Sequence, residues 1–248
     1  MNEQQRKCLE LKALHSEGQA WVLPNPWDTG SARVLEQQGF KALATSSAAL
    51  AGTLGCGDGD ITLAQKLAHC EQLAANTAIP ISVDFEDGFA DAPAAVALNI
   101  TRLAETGVAG CSIEDYSRST RTLFEATLAE ERMAAAVEAV AGLDCEFQLV
   151  ARAENLLRGV DDLDDTLARL SRFAELGAHV VYAPGLKTLD QVRAVRAATQ
   201  RPVNVLWPFF PGTSIDALGE AGATRLSLGS VLYQQMTDWL VSTSAALG

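Results

Sequence analysis

The stretch LAETGVAGCSIED, residues 103–115, decides the fold. It runs from an apolar-polar helical end through Gly107 into a short apolar run, and closes on two carboxylates. A glycine there suits the residue just past a helix C-terminus, where the backbone turns left-handed. An almost uninterrupted apolar run suits a strand covered on both faces. The same order of signals returns in LEQQGFKALATS (35–46), FAELGAHVVYAP (173–184) and LGEAGATRLSLG (218–229), with glycines at 39, 177 and 222. Two more junctions, NTAIPISVDF (76–85) and TQRPVNVLW (199–207), use Pro80 and Pro202. A missing N–H is tolerated where a strand begins. WVLP (21–24) and FQLVARA (147–153) bring the set to about eight short strands, separated by helix-length segments such as LAQKLAHCEQLAA (63–75).

About eight β/α units in a chain of 248 residues is the usual size of a closed barrel. The expectation is therefore an α/β chain forming one TIM-type (β/α)8 barrel over residues 1–248. An open doubly wound sheet is the competitor, but its G-x-G-x-x-G turn is missing after the first strand, where WVLPNPWDTGSAR (21–33) holds a single glycine.

Composition narrows the function. With 19 Lys+Arg against 31 Asp+Glu the net charge is −12, which repels nucleic acid phosphates and anionic lipid. The expected partner is a small, soluble molecule, with no nucleic acid and no membrane. The opening residues MNEQQRKCLE are too polar for a secretory leader, and the uncharged run ALATSSAALAGTLGCG (42–57) is broken by Ser, Thr and Gly. Five scattered cysteines without C-x-x-C spacing suggest neither a disulfide framework nor a zinc site, and fit a cytoplasmic chain.

In a β/α barrel chemistry gathers at the C-terminal ends of strands. ISVDFEDGF (81–89) ends one strand in three acids. Asp84 and Glu86 are two apart, so strand alternation points both to one side and Phe85 to the other. The next strand ends in Glu114. Three converging carboxylates with no nearby Lys or Arg would raise at least one pKa unless a cation shares their charge, and an oxygen-only set suits Mg²⁺, with Mn²⁺ as the alternative. Asp87 with Gly88 reads as a turn and Asp115 as a helix cap. The histidines His15, His69 and His179 read as structural. Trp207, Phe209 and Phe210 read as an apolar wall at the mouth, while Gly229 and Ser230 offer too little for a phosphate cup.

The ordered set NPWDTGSARVLEQQGFKALATSS (25–47), GDGDIT (57–62), VDFEDGF (83–89), GCSIED (110–115) and VARAEN (150–155) resembles the isocitrate lyase and phosphoenolpyruvate mutase superfamily, over residues 19 to 235. The resemblance implies a Mg²⁺-binding barrel acting on 2-oxo acids or their precursors through an enolate-like intermediate. It implies Asp84, Glu86 and Glu114 as the metal shell, and Ser46 with the backbone amides of Ser47 and Ala48 as a cradle for carboxylate and oxo oxygens. It further implies Asp58 as an acid orienting metal-bound water, and Arg152 as the clamp on a distal carboxylate or phosphonyl group. A homodimer or homotetramer exchanging the last helix, SVLYQQMTDWLVSTSAALG (230–248), is implied as well.

The sequence departs from that pattern in two places. Glu86 stands where the family has the second acid of Asp-x-Asp. IEDYSRSTRTLFEATLAEER (113–132) lacks the family's Lys-Lys-Cys-Gly-His stretch and has Tyr116 in place of the mutases' lysine. The function expected from the whole is a Mg²⁺-dependent carbon–carbon lyase or decarboxylase on a small 2-oxo or 2-hydroxy (di)carboxylate. Tyr116, Arg118 and Arg121 on the loop after the fourth strand would supply a proton or clamp a second carboxylate. A phosphorus–carbon bond enzyme of the same superfamily and a catalytically silent 2-oxo acid binder are the alternatives.

Overall fold

Gly39, Gly107, Gly177 and Gly222 all take positive φ (+87°, +88°, +118° and +107°), so each ends a helix and releases the chain into a strand as its sequence context requires. The computed structural model describes residues 1–16 and 18–247. In chain order it has α1 (Glu3–Leu14), β1 (Trp21–Leu23), α2 (Thr29–Gln37), β2 (Leu43–Ala44), α3 (Ser47–Thr53), α4 (Leu63–Asn76), β3 (Ile81–Asp84), α5 (Pro93–Ala104) and β4 (Gly110–Glu114). A short antiparallel hairpin, β5 (Tyr116–Ser117) and β6 (Thr122–Leu123), interrupts the alternation. There follow α6 (Ala126–Ala141), β7 (Gln148–Arg152), α7 (Leu163–Leu176), β8 (Val180–Tyr182), α8 (Leu189–Thr199), β9 (Val203–Leu206), α9 (Ile215–Glu220), β10 (Ala223–Ser227) and α10 (Val231–Ala245).

Eight parallel strands lie in the order β1-β10-β9-β8-β7-β4-β3-β2. Between the two ends, the Ala44 amide donates to the Pro24 carbonyl at 3.0 Å and Asn25 Nδ2 donates to the Thr45 carbonyl at 2.9 Å. The sheet thus curls into a nearly closed barrel ringed by helices, the expected architecture.

The strands read as continuous apolar runs, yet their two faces differ. Outward residues such as Ile81, Val83, Cys111, Ile113, Val203 and Val205 are buried under the helices in the main core. Inward, a small cluster of Val150, Val180, Tyr182 and Leu206 shares the lumen with Ser82, Ser112, Asn204, Arg225 and Ser227. Barrel interiors are ordinarily filled by branched aliphatic side chains. This one is polar toward its mouth.

At the other end α1 closes the barrel. Its capping box (Asn2 with Gln5) starts it, and Cys8 and Leu11 are fully buried. Gly110 leaves room for it: a Cβ there would stand 2.5 Å from the Gln148 carbonyl oxygen and 3.2 Å from Leu11 Cδ2. α10 behaves oppositely. Tyr233 in its first turn fills the space beside Gly52 and meets Trp27 edge-on at 5.6 Å, but none of its residues is buried and Met236, Trp239, Leu240 and Val241 are exposed. Among the described residues no helix is long and apolar enough to cross a membrane.

Candidate active site

A cavity of about 380 Å³ opens at the C-terminal ends of the strands, within the size range of small-ligand pockets. Each sequence-predicted site residue lines it: Ser46, Ser47, Ala48, Asp58, Asp84, Glu86, Glu114, Tyr116 and Arg152.

Strand register places the charged wall. Glu114 on β4 is level with Arg152 on β7. Asp84 ends β3, and its two oxygens are fully engaged: Oδ1 lies 2.8 Å from Arg152 Nη1, and Oδ2 accepts from the Ser47 amide (3.0 Å) and hydroxyl (2.9 Å). Burial works against ionisation, but Arg152, Lys66 and the Ser47 hydrogen bonds outweigh it and hold this carboxyl below its usual range. Glu114 is the opposite case. Burial and the neighbouring Glu154 charge raise it well above the carboxylate range, although Arg152 Nη2 lies 3.2 Å from its Oε2.

Glu86 reaches the cavity by a route that strand alternation does not describe. β3 has already ended, and Glu86 sits in left-handed backbone at φ +49°. Such a conformation costs a non-glycine residue roughly 1 kcal/mol or more, and it persists only where surroundings enforce it. They do so here. Phe85 is fully buried against Phe89, and Gly88 and Phe89 are also left-handed. The guanidinium of Arg132, buried under Phe124, donates to the carbonyls of Asp87, Ala90 and Asp91. Burial, reinforced by the charges of Asp84 and Asp58 and opposed by Lys66 and Arg118, pushes the Glu86 carboxyl up to about 7.

The premise that these acids lack basic neighbours is overturned. Arg152 serves Asp84, Glu114 and Glu154 together, its Nη2 lying 2.7 Å from Glu154 Oε1. Arg118 Nε lies 2.7 Å from Glu86 Oε2, and its Nη2 donates to the Gly59 and Ile61 carbonyls. The hairpin is thus pinned across the mouth rather than left as a free loop. Asp87 helps to pin it, accepting from the Phe89 amide (3.0 Å) within its own turn and from the Arg118 amide (2.9 Å). Asp115 is not a helix cap: it accepts from the Glu154 amide at 2.8 Å and pairs with Arg169 at 3.2 Å. Asp58 is exposed on the rim. Tyr116 lies under Arg158, whose guanidinium carbon is 3.9 Å from the ring centre. Arg121 on the cavity wall pairs with Asp60 at 3.5 Å.

Other expectations shift in detail. Of the three aromatic residues after β9, Phe209 lines the cavity, whereas Phe210 is buried in the core and Trp207 binds the Thr213 carbonyl through Nε1. Ser46 caps α3, accepting from the Ala49 amide at 3.3 Å, and the Ser47 amide is spent on Asp84, so the cradle is narrower than the sequence suggests. Two cations escaped the sequence reading. Lys66 is fully buried on α4, with Nζ lacking a hydrogen-bond partner among the described residues, and its charge acts on Asp84 and Glu86. Arg225 lies on the cavity floor.

Whether the carboxylates suit a divalent cation can be judged from their state. Among the described residues no three acidic, histidine or cysteine side chains are grouped closely enough to enclose an ion directly. Glu86 Oε1, however, is buried without a hydrogen-bond partner among those residues, and burial disfavours the charged form of two of the three carboxyls, so a cation there would offset a cost the arginines leave in place. The all-oxygen set fits an ion that keeps most of its waters, as Mg²⁺ does.

Comparison with known proteins agrees with the geometry. The family model described as phosphoenolpyruvate phosphomutase matches residues 11–247. A candidate lyase/mutase from Burkholderia cenocepacia J2315 superposes with a TM-score of 0.95 at 40% identity, over 99% of this chain and 88% of that one. An uncharacterized protein of Mycobacterium tuberculosis (strain H37Rv) is 35% identical over 89% of this chain and 81% of its own. The 2-methylisocitrate lyase of Aeropyrum pernix is 27% identical over 88% of this chain and 72% of its own.

Proposed function

Because this chain belongs to the phosphoenolpyruvate phosphomutase family, within the isocitrate lyase/PEP mutase superfamily of enzymes, we propose that it cleaves a carbon–carbon bond beside the carbonyl or hydroxyl carbon of a small 2-oxo or 2-hydroxy (di)carboxylate, with Mg²⁺ held by Asp84, Glu86 and Glu114. The observation that carries this reading is the buried, unpartnered oxygen of Glu86 in the same cavity as Asp84 and Glu114.

Mg²⁺ bound there supplies the electron sink that such a cleavage needs. The residues do the rest. Asp84, fixed by Arg152 and Ser47, is the member of the set whose carboxyl is held below its usual range, and so would anchor the cation. The Ser46 hydroxyl, whose oxygen already accepts from Ala49, keeps its own hydrogen for a substrate oxygen, and the Ala48 amide stands beside it on the wall. The bond that breaks joins the carbons α and β to the accepting carbonyl: its electron pair passes into that carbonyl to give an enolate, the β fragment leaves as CO2 or, where it bears a hydroxyl that gives up its proton, as a carbonyl compound, and a proton delivered to the α carbon completes the product acid. Tyr116 on the hairpin is the proton carrier of this scheme, with Arg158 stacked on its ring. Arg152 is a positioning residue, since it holds three carboxylates in place.

Thermal unfolding with and without Mg²⁺ and oxalate, on wild type and Asp84→Asn, tests the reading. A ligand at a hundred times its dissociation constant adds about 2.7 kcal/mol. Stabilisation by oxalate only with Mg²⁺, lost in Asp84→Asn, supports it, and a product screen over oxo acids then identifies the bond broken. No shift in wild type refutes it, and turnover of phosphonopyruvate instead would move the assignment to phosphorus–carbon chemistry.

A further inference from the structure

Five arginines line the cavity, and four have a carboxylate within ion-pair distance. Arg118 faces Glu86 (2.7 Å), Arg121 faces Asp60 (3.5 Å), Arg152 faces Asp84, Glu114 and Glu154 (2.8, 3.2 and 2.7 Å), and Arg158 faces Glu154 and Glu114 (3.1 and 3.6 Å). Arg225 is the exception. It is only 4% exposed, and its hydrogen bonds go to neutral oxygens: Nε to Asn204 Oδ1 at 2.9 Å and Nη1 to Ser82 Oγ at 3.4 Å. Nη2 takes no acceptor among the described residues.

A buried guanidinium with only neutral partners is costly, and burial pushes its pKa down to about 10. The neighbouring strands nevertheless hold it in one orientation. Asn204 Nδ2 donates to Ser227 Oγ at 3.0 Å, and Ser227 Oγ to the Val205 carbonyl at 3.3 Å, which fixes the Asn204 amide with its oxygen toward Arg225. The result is a built, positively charged floor that opens into the cavity.

Its depth relates it to the reacting centre. Ser82 precedes Asp84 by two residues on β3 and shares its inward face, so the Ser82 contact lies about 7 Å below the level of Asp84 along the strand. An acid bound by its 2-oxo or 2-hydroxy end at Asp84 and Ser46 therefore finds a free cation one short carbon chain below. Arg152, which the sequence offered for that task, already shares its charge among three carboxylates.

We infer that Arg225, oriented by Asn204 and Ser82, is the anion-binding residue that takes the second carboxylate of the substrate, so that this enzyme selects diacids over the corresponding monoacids. The inference rests on the functional reading above, because it needs the substrate's other end at Asp84. A planar fork with a free Nη2 suits a carboxylate, and ligand binding relieves the uncompensated charge.

The test compares malate with lactate, 2-hydroxy acids that differ at the distal carboxylate, by calorimetric titration in Mg²⁺ on wild type, Arg225→Met and Asn204→Asp. Asn204→Asp is nearly isosteric and places a carboxylate on the guanidinium, neutralising it without removing it, so it serves even if Arg225→Met fails to fold. Wild type should bind malate at least about tenfold tighter than lactate, the scale of one charge-assisted hydrogen bond. Both variants should bring that ratio near one while oxalate binding stays unchanged. A ratio near one in wild type, or a ratio preserved in Asn204→Asp, overturns the role of Arg225. Failure of oxalate to bind wild type in Mg²⁺ sinks the functional reading itself, and this inference with it.

Discussion

Glu86→Gln, studied free of metal across pH 5 to 8, isolates the charge strain in this site. The Glu86 side chain is 5% exposed, and its carboxyl moves from 4.5 to about 7 on folding, chiefly through burial. A carboxyl raised in the folded state stabilises the fold while it is protonated. That contribution is complete below the unfolded value and is lost as pH climbs through about 7. The shift corresponds to about 3 kcal/mol once the group is ionised. The amide of Gln mimics the protonated acid, still reaches Arg118 and cannot ionise. In EDTA the two proteins should therefore differ by less than about 1 kcal/mol near pH 5 and diverge upward, with Glu86→Gln more stable by up to about 3 kcal/mol at pH 8. For a domain of this length that is roughly 6–12 °C in Tm. Other raised acids, such as Asp115 at about 6, are common to both proteins and cancel in the difference. Adding Mg²⁺ at pH 8 should close the gap by stabilising wild type alone. Curves that stay parallel from pH 5 to 8 would refute the claim that Glu86 carries this strain.

Three further outcomes follow from packing. Gly110→Ala sets a methyl against the Gln148 carbonyl and Leu11, and should cost at least about 2 kcal/mol in chemical denaturation while loosening α1 to proteolysis. Arg118→Ala removes the Glu86 ion pair and the bonds to the Gly59 and Ile61 carbonyls, so amide exchange should accelerate on the order of ten- to a hundredfold over residues 55–61 and 116–123 but not in the barrel strands. We propose that the exposed apolar residues of α10 hold a homodimer or homotetramer together; Trp239→Asp should then give a monomer by light scattering, and a monomeric wild type would dismiss the exchanged helix.

The barrel was legible because its signals are local. Left-handed glycines after helices and apolar runs under helices each depend on a few neighbouring residues, and eight repetitions average out errors at any one. α1 was not legible: EQQRKCLELKAL carries only Cys8, Leu11 and Leu14 as buried apolar residues, too narrow a stripe to stand out before the barrel floor that receives it is known. The hairpin after β4 was missed for a similar reason. SRST contains no glycine, and the turn rests on Arg121 in left-handed backbone, held by its amide donating to the Ser117 carbonyl.

The site shows where positional reading stops. Which strand-end carboxylates reach the mouth follows from spacing, so Asp84 and Glu114 could be named from it, whereas Glu86 gets there through left-handed backbone beyond the end of β3. Which cation meets which acid does not, because an arginine side chain crosses the lumen and its partner is set by barrel curvature. Two signals were nevertheless present. Lys66 falls on the apolar stripe of its helix, between Leu63 and Cys70, where a solvated lysine has no place. Asn204, Arg225 and Ser227 occupy the inward positions of β9 and β10, with Val203, Val205 and Leu226 outward. Strict alternation inside a parallel barrel, where both faces are normally apolar, means that the lumen has been made polar. A polar lumen holding an arginine without a carboxylate is costly to fold around, and it is retained most simply if an anion from outside completes it.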